Sequence, residues 1–156
     1  MCFAHGIYNK MRKAGESMSQ DIIEIREAIA AGERALRSLQ AAQSKLNSAR
    51  GWGIFDMLGG GLLSDLMKHS RMNDASSYME AARRDLEIFK RELADVSTSY
   101  HLRMDVDGFL TFADFFFDGL IADYLVQTKI SQARGQVEEA IAKVTQILAE
   151  LKRETI

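Results

Sequence analysis

The chain has 156 residues, 47% hydrophobic and 27% charged, with no proline, one cysteine and a formal net charge of −2 at neutral pH. This balance fits a single folded domain and excludes a disordered polyelectrolyte; near-neutrality also argues against a general nucleic-acid binder, which needs a concentrated basic surface. The lack of proline, whose ring and missing N–H disrupt helix interiors, points to an all-α fold, and a lone Cys2 leaves no intramolecular disulfide or four-thiolate zinc site and suits a reducing cytoplasm.

Residues 1–16 carry no clear hydrophobic period; with Gly6, Gly15 and the basic Lys10, Arg12 and Lys13 they read as a loose or separately docked N-terminal arm. Met1 to Gly6 has neither the charged leader nor the apolar stretch of a signal peptide. Ser17-Met18-Ser19-Gln20 fits a capping box, in which a hydroxyl and a glutamine satisfy the free N–H groups of a helix start. A single helical-bundle domain is therefore expected over 17–156.

Three long helices follow, each with an apolar stripe whose spacing alternates three and four, the pattern of a coiled-coil seam. The first stripe is Ile22, Ile25, Ile29, Gly32, Leu36, Leu39, Gln43 and Leu46. The second runs Met72, Ala75, Met79, Ala82, Leu86, Phe89, Leu93, Val96 and Tyr100, and the third Ile130, Ala133, Val137, Ala140, Val144, Ile147 and Leu151. Alanines and Gly32 within the stripes permit close approach of helix axes. Each rod is expected to span about 30 residues, roughly 45 Å.

The connections between the rods, 50–71 and 105–129, are too long and too apolar for ordinary bundle loops of about 2–8 residues. They share a repeat: Asp56 to Asp65 reappears as Asp114 to Asp123 at an offset of 58, with Ser70-Arg71-Met72 over Thr128-Lys129-Ile130. Self-similarity at a fixed offset marks a duplicated supersecondary unit. Gly51, Gly53 and Gly59-Gly60-Gly61 are expected to break the first insert, and Gly108 and Gly119 the second. Leu62 to Met67 and Leu120 to Leu125 read as short helical turns leading into the next rod.

The retained Gly61, Asp65, Gly119 and Asp123 are read first as structural, glycines for tight corners and aspartates for helix caps. A glycine-rich turn before a helix can also cradle phosphate, but GxxxxGK[ST] is absent and Asp56 and Asp65 would repel an anion. Asp65 and His69, one helical turn apart, supply two metal ligands in principle, and Asp56 a third. The second copy has Gln127 in place of His69, so such a site would exist once only. Asp105-Val106-Asp107-Gly108-Phe109-Leu110 resembles the middle of an EF-hand loop. Arg103 stands at the first ligand position, however, and Asp114 at the twelfth in place of the longer glutamate, so the segment is read as a turn between helices.

Phe109, Phe112, Phe115, Phe116, Phe117 and Tyr124 form a dense aromatic cluster, with Trp52 and Phe55 serving likewise in the first insert. They are expected to be buried at the end of the bundle or across a dimer interface, because such a patch is costly in water. Membrane contact is disfavoured by the neighbouring acids, and Asp114, Asp118 and Asp123 interrupt the apolar stretch Phe109 to Val126 too often for a span. There is no GxSxG elbow or HExxH, and no cofactor is implied.

The expected fold is an elongated antiparallel bundle of three long heptad-patterned helices with two related inserts. The expected function is a non-enzymatic scaffold or protein-interaction module that self-associates as a homodimer, because three narrow stripes make a thin core for such long rods. The rival is a metal- or small-ligand-binding protein using Asp56, Asp65 and His69.

Overall fold

The computed structural model describes the backbone of residues 2–56, 63–99, 106–119 and 127–155, and the side chains of 4–48, 77–96, 106–114 and 133–155. The described residues form four α-helices and no strand: α1 (Cys2–Asp56), α2 (Leu63–Ser99), α3 (Val106–Gly119) and α4 (Gln127–Glu154). α1 is the spine. At 55 residues it is about 82 Å long, and it packs against both α2 and α4, while α3 packs against α2.

Cross-helix pairs fix the directions. Along α1, Ser38 donates a hydrogen bond to Asp85, and Lys45 Nζ lies 5.1 Å from the centre of the Tyr78 ring, so residue numbers fall on α2 as they rise on α1. Against α4, Lys152 Nζ lies 2.9 Å from Glu33, and Arg134 Nε donates to Asn47 Oδ1 at 2.6 Å. Thus α2 and α4 both run antiparallel to α1 and parallel to each other, which corrects the expected antiparallel arrangement of all three rods: the chain crosses back between Ser99 and Gln127.

The core consists of the seams that face each other. Met79, Ala82, Leu86, Phe89, Leu93 and Val96 of α2 are buried, as are Ala133, Val137, Ala140, Val144, Ile147, Leu148 and Leu151 of α4. These match the expected stripes over the described residues, with Leu148 added; the side chains of Met72, Ala75, Tyr100 and Ile130 lie outside them. On α1 the central row Ile25, Gly32, Leu39 and Leu46 is buried as expected. The flank differs: Ala28, Ala35 and Ala42 are fully buried, whereas Ile29 and Leu36 are only partly so and Ile22 is 40% exposed. The reason is geometric. α1 meets two helices, and small alanines fill the flank that is enclosed between them, while the larger residues stay at the margin of the core.

Gly32 marks the tightest point. A Cβ there would lie 2.7 Å from Leu148 Cδ2 and 2.8 Å from Phe89 Cε2, so one missing methyl admits side chains from both neighbouring helices.

Three expectations about breaks are corrected. The helix does not start at Ser17; α1 already runs from Cys2, and Ser19 Oγ donates back to the Glu16 carbonyl at 2.9 Å instead of capping. Gly51 and Gly53 do not break the chain, because α1 continues to Asp56. A lone glycine lowers helix stability by about 1 kcal/mol, which propagation from a long neighbouring helix can absorb. The EF-hand-like segment is not a turn either. α3 begins at Val106, with Asp107 in its first turn, where a carboxylate meets the positive helix end, and Gly108 inside the helix.

α3 is thus a 14-residue helix within the second insert. Val106, Phe109 and Ala113 form its buried face. The Phe109 ring meets Phe89 of α2, and Lys90 of α2 pairs with Asp114. Gly59-Gly60-Gly61 and Leu120 to Leu125 lie outside the described residues.

Candidate interaction surface

The N-terminal third of α1 stands clear of the other helices. Residues 4–20 are all exposed, and Ile25 is the first buried position. Since Lys45 faces Tyr78 and Ser38 faces Asp85, the antiparallel register brings α2 to its end at Ser99 near the level of Ile22 to Glu24. The stretch before that level extends for about 20 residues, or roughly 30 Å, as a single helix.

This arm is not uniformly polar. Ile7, Tyr8, Met11 and Met18 are 58% to 70% exposed. Ala4, Met11 and Met18 repeat every seven residues and continue in phase into Ile25, Gly32, Leu39 and Leu46, the central buried row. Ile7, Ala14 and the charged Asp21 flank that row on the side that becomes Ala28, Ala35 and Ala42; Tyr8, Gly15 and Ile22 flank it on the other. The seam that α2 and α4 cover in the bundle therefore runs on uncovered through the arm.

Charge along the arm is segregated. Residues 4–15 hold Lys10, Arg12 and Lys13 and no acid, while 16–25 hold Glu16, Asp21 and Glu24 and no base. Within the arm, Arg12 lies 3.7 Å from Glu16 one turn on, an exposed pair that adds only a few tenths of a kcal/mol. A Cβ added at Gly6 or Gly15 would meet nothing within 4 Å, so no neighbour within the chain requires a glycine at either place. Each costs helix stability of about 1 kcal/mol relative to alanine. A helix of this length without tertiary contacts is marginal in water.

The residues nominated from sequence fare differently. Phe112 is half-buried against the core, with Lys143 Nζ 5.1 Å from its ring centre, and so joins α3 to α4. Of its aromatic neighbours, Phe109 is buried. Phe115, Phe116 and Phe117 belong to α3, and Trp52 and Phe55 to α1, but their side chains lie outside the described residues. The same holds for the metal candidates Asp56, Asp65 and His69, and for Gly61, Gly119 and Asp123 of the repeated motif. Among the described residues no group of three or more His, Cys, Asp or Glu is placed to hold a metal ion. No helix among them is long and apolar enough to cross a membrane.

Sequence reasoning alone does not single out the arm's apolar row as a functional surface. The signal that reveals it is the heptad phase shared by Ala4, Met11 and Met18 with Ile25 and beyond, which the glycines and the capping-box match at Ser17 obscure. Comparison of the chain with known protein families, with characterised proteins and with solved structures finds no match.

Proposed function

We propose that this chain is a non-enzymatic helical scaffold or protein-interaction module that acts by self-association, most simply as a homodimer. The observation that carries this reading is the uncovered heptad seam on the arm of α1, in phase with the buried row of the bundle. A helix face of this kind is the form in which one α-helix offers itself to another. In this reading α1 and, antiparallel to it, α2 and α4 are coiled-coil rods that give the module its length, and α3 braces one side. The two inserts are taken as descendants of one duplicated unit, on the strength of the 58-residue offset. A reducing cytoplasm is the proposed setting for a chain with one thiol.

Light scattering of the full chain at micromolar concentration tests the reading. It predicts a mass twice the 17.5 kDa of one chain. A monomer throughout the micromolar range would remove its basis.

A further inference from the structure

We propose that residues 8–24 of α1 pair antiparallel with the same segment of a second copy, forming a two-stranded coiled coil that joins two bundles end to end. The inference rests on the self-association reading and supplies its surface and polarity. Three observations on the arm converge on it.

The first is continuity. Ala4, Met11 and Met18 extend the row that ends in Ile25, Gly32, Leu39 and Leu46, so a helix docked on the arm takes up the seam where α2 and α4 leave it. The second is charge, and it decides both occupant and direction. Turned about an axis near Glu16, the Lys10 of each copy, which borders the seam just before Met11, comes beside the Glu24 of the other, which borders it just before Ile25, so two opposite-charge pairs form at once; Arg12, Lys13 and Glu16 lie on the outer face. A parallel pair would set Lys10 beside the uncharged Gly15 of its partner and would form neither of these charge pairs. An anionic membrane would attract the basic half but repel the acidic half, which carries Met18 and Ile22 of the same apolar row. The third is room. Gly15 lies near the proposed axis with nothing within 4 Å of a Cβ, which leaves space for a second helix to cross closely.

The test uses the full chain, reduced, in sedimentation equilibrium. Two variants each reverse one member of the charge pair: Lys10→Glu, and Glu24→Lys. These positions are exposed or half-buried and lie before the bundle core, and retained cooperative melting serves as the folding control. Each variant alone is expected to dimerise roughly 100-fold more weakly than wild type. An equimolar mixture of the two is expected to recover a tight heterodimer. Orientation is read from Cys2: antiparallel arms hold the two Cys2 positions about 40 Å apart, so mild oxidation leaves the dimer uncross-linked. A wild-type dimer indifferent to both reversals overturns this inference while leaving self-association standing. Rapid Cys2–Cys2 cross-linking overturns the polarity. A wild-type monomer that co-sediments with phosphatidylserine vesicles overturns the inference and the self-association reading together, in favour of a membrane surface.

Discussion

Phe89 of α2 and Phe109 of α3 meet edge to face, their ring centres 5.5 Å apart and their planes inclined at 62°. The same Phe89 ring lies against the open face of Gly32 on α1. One side chain thus ties three helices together, and α3 depends on it. Truncating Phe109 to alanine is expected to cost about 3–5 kcal/mol, as for other buried aromatics. A double-mutant cycle with Phe89→Ala should give a coupling of about 0.5–1.5 kcal/mol in urea unfolding. Strict additivity would mean that the two rings do not support each other.

Gly32 and Gly135 should respond to alanine in opposite ways. At Gly135 on α4 nothing lies within 4 Å of an added Cβ, so Gly135→Ala is expected to stabilise the protein by about 0.5–1 kcal/mol through helix propensity. At Gly32 the added carbon meets Leu148 and Phe89 at under 3 Å. Overpacking of about 1–3 kcal/mol then exceeds the propensity gain, and Gly32→Val should be worse than Gly32→Ala. Denaturant midpoints that rise for Gly32→Ala as they do for Gly135→Ala would show that the seam has slack.

Ser38 and Asp85 form a half-buried hydrogen bond between α1 and α2. Ser38→Ala is expected to cost about 1–2 kcal/mol, since it leaves a carboxylate short of a donor inside the seam. The exposed Arg91–Glu87 pair, one turn apart on α2, is a fitting control. Arg91→Ala should change stability by less than about 0.5 kcal/mol. Equal losses at the two sites would deny the seam its special role.

The legibility of the fold in the sequence varies by helix for physical reasons. The seams of α2 and α4 can be read from Met79 to Val96 and from Ala133 to Leu151, because each of these helices meets the core along one narrow row. α1 meets two helices, so both flanks of its central row are apolar, and periodicity alone cannot tell that Ala28, Ala35 and Ala42 go inside while Ile29 and Leu36 stay at the margin. Glycine is over-read as a breaker at Gly51, Gly53 and Gly108; a local penalty near 1 kcal/mol does not end a helix that flanking turns propagate. The Ser17 capping box fails for the same reason, since a cap matters only where the preceding residues are not helical. For the candidate surface, composition points to the aromatic insert, yet Phe109 and Phe112 are spent on α2 and α4. Among the described side chains the open apolar row lies on the arm, where its members are mostly methionines and alanines whose individual signal is weak.

The central claim is that the arm of α1 is a covered helix in the working molecule, and amide hydrogen exchange measures that cover directly. A lone helix of about 20 residues carrying Gly6 and Gly15 opens readily, whereas a paired one is protected in proportion to dimer stability. At concentrations well above the dimer dissociation constant, residues 8–22 are expected to exchange slowly, and on dilution their protection should fall while that of Ala28 to Leu46 persists. Arm amides that exchange at unprotected rates at every concentration would contradict the account.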